Sequence, residues 1–314
     1  MILFFLWLTI TVLIGILAPQ FLTFNYYVGV VLRDGVEIGL VALPMTMIII
    51  TGGIDLSVGN TMVLSAMLGG MVALRFGGAA GLLVTMLIGA LCGLFNGFLI
   101  AKIKVSPMIT TLSTMFLYLG LARGITKGDS VYSYNLASGM GNMSLAGIPV
   151  QLFIYVLMAI LFYVILAKST YGRELYSIGL NENASIYSGI NTERVKIIVY
   201  MLAGLMSSVA ALIWLGRFNA LKYDAGYNFN LKVITIVVLG GTSITGGYGD
   251  IRGTIVATLI IAVLSNGLTV LNIPVAAQTI VQGTVLIISL VSLKFINQRK
   301  IRQKIIKVKA PTAQ

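Results

Sequence analysis

Apolar runs dominate this chain, at about 2–18, 36–52, 55–74, 79–101, 107–125, 149–167, 196–216, 229–245, 253–271 and 275–293. Each approaches the roughly 17–25 residues that carry a helix across a hydrocarbon layer of about 30 Å. In lipid every backbone amide and carbonyl needs an internal partner, so such runs fold as helices and pack against one another. Charged residues make up 10% of the 314 and hydrophobic ones 58%, whereas a soluble domain carries roughly a quarter charged. The sequence therefore predicts an all-α, polytopic membrane helix bundle of about ten transmembrane helices. Residues 1–294 form one transmembrane domain and 295–314 a basic tail; no polar stretch is long enough for a separate soluble domain. The Met1–Ala18 run has no basic residue ahead of it and no clear cleavage site, so it reads as a first membrane helix. The 229–245 run is short and ends in Gly240-Gly241-Thr242-Ser243-Ile244-Thr245-Gly246-Gly247, which predicts a broken or re-entrant segment.

The residues that are missing narrow the chemistry. There is no histidine, which removes the commonest proton shuttle, metal ligand and catalytic base together. The one cysteine, Cys92, lies inside an apolar run, so no internal disulfide forms and no thiolate metal site is expected. No GxxxxGK(Ser/Thr) loop is present to bind ATP. Few charges fall within the runs, whereas ion-coupled transport generally needs ionisable groups there. No set of side chains suits an intramembrane enzyme. The net charge of +12 reflects topology rather than nucleic acid. With both termini cytoplasmic, the inner side gains Lys102, Lys104, Lys168, Arg173, Arg194, Lys196, Arg252 and the basic residues from Lys294 to Lys309. Arg33, Arg75, Arg123, Lys127, Arg217, Lys222 and Lys232 fall to the outer loops, half as many, as the positive-inside rule expects.

Polar breaks between the runs are the candidate functional segments. Gly52, Gly53, Asp55, Ser57 and Gly59 stand in Thr51-Gly52-Gly53-Ile54-Asp55-Leu56-Ser57-Val58-Gly59, between the second and third runs. Asp55 and Ser57 have two compatible readings: they accept hydrogen bonds from free amides at a helix start, or they line and gate a polar path. Gly240–Gly247 matches this stretch as GGxx(Leu/Ile)(Ser/Thr)xG, and paired glycine-interrupted segments point to a transport route. That extends the candidate path to Thr242, Ser243 and Thr245. Gly89, Gly93 and Gly97 repeat GxxxG on one helix face, predicting close helix packing. In the cytoplasmic loop 168–196, the stretch from Ser177 to Ile190 reads as a short helix with Asn181 as N-cap, Glu182 in its first turn and Gly189 at C′. It suits a partner-docking element. The tail, with isoleucines among its lysines and arginines, suits anionic lipid or a solvated topogenic role.

These segments also resemble the permease subunits of bacterial ribose-type ABC importers. The resemblance rests on Ile50–Gly59, on Thr170-Tyr171-Gly172-Arg173 running through Asn181, Ala184, Ser188, Gly189 and Ile190, and on Val238-Leu239-Gly240-Gly241-Thr242-Ser243 with Gly246, Gly247 and Gly253. Within that family the wording from Val41 to Met47 is most similar to permeases for autoinducer-2 or rhamnose. The resemblance implies a type II-like importer permease in the bacterial plasma membrane that does no covalent chemistry and binds no cofactor itself. ATP and Mg would be bound by a separate ABC ATPase subunit, docked on Asn181, Glu182, Ala184, Ser185, Ser188, Gly189 and Ile190. Ser185 departs from relatives that often carry alanine there. A second permease subunit, identical or homologous, and an extracytoplasmic substrate-binding protein complete the implied assembly. A nucleoside or branched-chain amino acid permease, and a stand-alone uniporter, are the alternatives.

Overall fold

The computed structural model describes residues 2–285 together with Ile287, Ile288 and Val291. The tail and the end of the last run lie outside the described residues. Helices follow one another as α1 (Ile2–Leu17), α2 (Phe24–Tyr26), which passes through a π-helical stretch into α3 (Arg33–Ile50), then α4 (Val58–Phe76), α5 (Gly78–Ala101) and α6 (Pro107–Thr126). After these come α7 (Asn135–Asn142), α8 (Val150–Lys168), α9 (Thr170–Leu180), α10 (Glu182–Tyr187), α11 (Thr192–Phe218), α12 (Phe229–Leu239) and α13 (Ile251–Val270). Helical backbone resumes over 275–285. Among the described residues, α4, α5, α6, α8, α11 and α13 are each long and apolar enough to cross a membrane, while α1 and α12 are apolar but shorter. The fold is thus an all-α membrane bundle, and each apolar run up to residue 271 contains one of these helices.

α3 is the axis of the bundle. Every residue from Gly39 to Ile50 is buried, because α8, α11, α12 and α13 pack around it. The outer helices instead turn leucine and phenylalanine outward, among them Leu83, Leu87 and Phe116, as a lipid-facing surface requires.

The tandem GxxxG performs the expected packing: it is where α5 crosses α11. A Cβ on Gly89 would stand 2.5 Å from the Gly204 carbonyl oxygen, and one on Gly97 2.8 Å from the Ile197 Cα. Only glycine lets the two backbones come this close.

The bundle has two distinct ends. At one, β1 (Val131–Tyr132) pairs antiparallel with β4 (Ala220–Leu221), and a small hairpin joins β2 (Ser144–Leu145) to β3 (Ile148–Pro149), next to α7. At the other lie the end of α3, the α5–α6 link, α9, α10 and the start of α11, with a Lys104–Glu193 ion pair at 3.8 Å joining the link to α11.

Candidate functional site

Residues 51–57 separate α3 from α4, so the first break is a true interruption, held by side chains from its neighbours. Asp55 Oδ1 accepts the Ser57 backbone N–H at 2.8 Å and the Ser57 hydroxyl at 2.7 Å. The Ser57 Oγ in turn accepts from Asn96 Nδ2 at 2.8 Å, and Asn96 Oδ1 accepts from the Tyr118 hydroxyl at 3.3 Å. The hydrogen-bonded chain is sealed: Asp55 is 2% exposed, Ser57 and Asn96 0%. Asn230 of α12 donates to the Leu56 carbonyl at 3.0 Å, and Thr111 of α6 to the Ile54 carbonyl at 3.2 Å. These carbonyls and the Ser57 N–H of the break thus find partners inside the protein, as its setting in a membrane bundle demands. α5 continues for five residues past Asn96 to Ala101, which places the Asp55 turn about 7 Å in from the end of that helix.

This arrangement refines the capping expectation. α4 begins at Val58, and the Ser57 side chain accepts no hydrogen bond from the backbone amides of the helix. Asp55 closes a short turn onto Ser57 instead. A cleft of about 470 Å³ lies beside the break with Leu56, Gly59, Asn60, Met115 and Asn230 in its walls, without Asp55 or Ser57. Gly59 is buried against the Gly226 carbonyl and Phe229. Gly53 lies against the Tyr200 hydroxyl, which is buried and has no hydrogen-bond partner among the described residues.

The second break begins where α12 stops at Leu239 and lasts until Asp250, whose carboxylate accepts the Arg252 N–H at 2.9 Å and caps α13. Thr242 and Ser243 are buried, while Thr245 is exposed and its hydroxyl lies 2.8 Å from that of Ser243. The two breaks, matched in sequence, touch in space. The Gly247 N–H donates to the Ile50 carbonyl at 2.8 Å. A Cβ on Gly246 would sit 3.1 Å from the Gly52 nitrogen and 3.0 Å from the Gly179 carbonyl of α9. The Tyr176 hydroxyl of α9 also donates to the Gly249 carbonyl at 2.7 Å. Burial raises the pKa of that phenol, so the donor keeps its proton through the neutral range.

Within the stretch from Ser177 to Ile190, α10 is the short helix expected after Asn181, and α9 precedes it and ends at Leu180. Asn181 is extended (φ −163°) and ends α9, then caps α10 by accepting the Ala184 N–H at 3.0 Å. Gly189 takes φ +83°, and the Ile190 N–H reaches the Ser185 carbonyl while the Gly189 N–H reaches that of Ile186. These two bonds complete a Schellman ending. Lys196 of α11 anchors Glu182 at 2.6 Å. Asn181, Ala184, Ser188 and Gly189 are exposed and Ile190 is half-buried, with Ile186 and Tyr187 open beside them at 48% and 91%. Ser185 is the exception. It is 4% exposed and its hydroxyl donates to the Asn181 carbonyl, so it faces the bundle.

The charges hold one further surprise. Arg217 sits in the last turn of α11, not in a loop; it donates to Glu37 at 3.1 Å and pairs with Asp34 as well. Arg33 bonds the Gly141 carbonyl and Asn142. Lys232 falls in the first turn of α12 and has no such partner among the described residues. Sequence spacing gives no sign of a cluster whose members lie some 180 positions apart.

Comparison with known proteins decides the family. The family described as "branched-chain amino acid transport system / permease component" matches residues 27–290. The chain belongs to this permease family. The ribose import permease protein RbsC of Bacillus subtilis (strain 168) is 39% identical over 284 residues, covering 89% of this chain and 88% of its own length. The autoinducer 2 import system permease protein LsrD of Escherichia coli (strain K12) is 35% identical over 285 residues, covering 88% and 86%. No solved structure matches the chain. The matches cover both breaks and the α9–α10 segment, and members of the family are transport components, not enzymes.

Proposed function

We propose that this permease is the translocation subunit of an ATP-driven importer for a sugar or sugar-like solute. The observation that carries the reading is the contact of α9 with the second break, through Gly179 and Gly246 and through Tyr176 and Gly249, and of Gly179 with Ile50 where α3 ends at the first. A partner that pushes on α10 moves α9, and α9 touches the second interruption and the end of α3 that borders the first. In this scheme an ABC ATPase subunit binds ATP and Mg and seats on the exposed face made by Asn181, Ala184, Ser188 and Gly189. Two permease subunits enclose the path, and an extracytoplasmic binding protein delivers the solute. Both termini and the 168–196 loop face the cytoplasm.

The sugar class follows from the two relatives named above, one for ribose and one for autoinducer 2. Nucleosides and branched-chain amino acids are the competing cargoes, the latter favoured by the family's description. The test is co-expression with candidate ATPase and binding-protein subunits, followed by co-purification and uptake of labelled D-ribose, a nucleoside and leucine. ATP-dependent ribose uptake supports the reading; uptake of leucine alone, or uptake without an ATPase, overturns it. Orientation is read with Asn183→Cys, which is exposed. Labelling by an impermeant thiol reagent from outside intact cells would invert the topology.

A further inference from the structure

Two cavities that share walls flank the start of α12. One, of about 370 Å³, includes Asn228, Lys232, Thr235, Gln278 and Thr279. The other, of about 230 Å³, includes Glu37, Trp214, Arg217, Phe229 and Asn266. Tyr227, Lys232 and Ile261 belong to both. A pocket in a lipid-embedded bundle needs no such lining to be stable, since apolar side chains would fill it at lower cost. Here amides, hydroxyls and aromatic rings converge, the combination that fixes a small polar ligand.

Lys232 is the decisive side chain. It is half-buried and, among the described residues, has no hydrogen-bond or ion-pair partner. The neighbouring charges differ: Arg217 is held by Asp34 and Glu37, and Arg33 by Gly141 and Asn142. An unpaired cation within a membrane bundle is costly and marks a functional position by default. Its ammonium has three donors and no acceptor, and hydroxyl oxygens of a solute are the acceptors it lacks. Trp214 and Tyr227 offer flat apolar faces to the carbon skeleton between those hydroxyls.

We infer that the joined cavities around Lys232 are the station where a small polyhydroxylated solute rests within the membrane. The inference rests on the importer reading and adds a location and a recognising residue to it. The route then runs along α12, while Asp55 and Ser57 hold the adjacent break in shape.

The test uses the full transporter with Cys92→Ala and Thr279→Cys, probed with an anionic and a cationic methanethiosulfonate reagent in membrane vesicles of both orientations. If water and an uncompensated positive charge meet here, the anionic reagent reacts faster by roughly tenfold or more, as a cleft of one sign gives. Lys232→Gln should abolish that preference and reduce D-ribose uptake, with Lys232→Arg retaining part of both. Lys232→Gln should still assemble, because it removes a half-buried charge that has no partner to lose. An unreactive Thr279→Cys from both sides, or a preference unchanged by Lys232→Gln, overturns the inference. Uptake separates the two readings. No ATP-dependent sugar uptake by the wild-type complex defeats the importer reading, whereas wild-type uptake by Lys232→Gln defeats only the station at Lys232.

Discussion

Asp55→Ala isolates what the first break contributes. The substitution removes the acceptor of two hydrogen bonds at 2.8 and 2.7 Å. The Ser57 N–H, in a residue with no exposure, is then left without a partner, which costs about 1–3 kcal/mol. The Ser57 hydroxyl loses less, since it can turn towards Thr61 Oγ1 at 3.5 Å. The expected destabilisation is about 2–3 kcal/mol for Asp55→Ala. Asp55→Asn keeps an acceptor oxygen and should cost about 1 kcal/mol. Ser57→Ala strands Asn96 Nδ2 as well as removing the shared bond, so Asp55→Ala with Ser57→Ala should cost less than the two singles added. Unfolding of the purified complex in detergent measures the ranking, and uptake per assembled complex measures function. An Asp55→Ala variant as stable as wild type, or an additive pair, would refute the reasoning from these bonds. Normal uptake per surviving complex would assign Asp55 to shape alone and remove it from the path.

Gly189→Val places a β-branched side chain at φ +83°, a strain of about 1–2 kcal/mol; ATPase pull-down and coupled hydrolysis should fall while membrane insertion is unchanged. Gly93→Ala drives a Cβ into the Tyr200 carbonyl and should lower stability by about 1–3 kcal/mol. Gly120→Ala, a helical position whose Cβ meets nothing within 4 Å, is the control in the same unfolding assay and should not lower stability. Arg217→Met leaves Glu37, 5% exposed, without its cation and should cost about 3–5 kcal/mol, part of it restored by adding Glu37→Gln. Tyr176→Phe deletes one α9 bond to the second break and should lower stability by about 1 kcal/mol at most, while ATP hydrolysis uncouples from uptake.

The helices were legible because lipid leaves the backbone so few choices. Runs of apolar residues are helical here, and Gly240–Gly247 ends α12 early, as its glycines suggest. Gly189 was legible for a local reason, since a C′ position depends on a few neighbouring residues. What the sequence hid was long-range or directional. The Arg217 cluster unites α3 with α11, and nothing in either segment names the other. Ser185 lies on a six-residue helix whose inner face is set by the packing of α9 and α11. α9 was missed because its eleven residues mix apolar and polar side chains and lie outside the apolar runs. Lys232 lies within α12, where a tally of loop charges misplaces it.

The match between the two breaks acquires a physical meaning once their contact is known. Each interruption frees backbone groups that the membrane will not hydrate, so each needs partners from elsewhere in the protein. The first is served by α5, α6 and α12, and the Ile50 carbonyl at the end of α3 takes its extra hydrogen from Gly247 of the second. The second is braced by Tyr176 of α9. Neither break is therefore independent. A shift of α9 perturbs the second, and the Gly247–Ile50 bond passes it to the end of the central helix, whose buried length bears on α8, α11, α12 and α13. Close packing transmits such a shift as a rigid displacement instead of absorbing it. A helix of six residues held by Glu182 and Lys196 is thus linked to the membrane core through single, nameable contacts, and each of them is open to substitution.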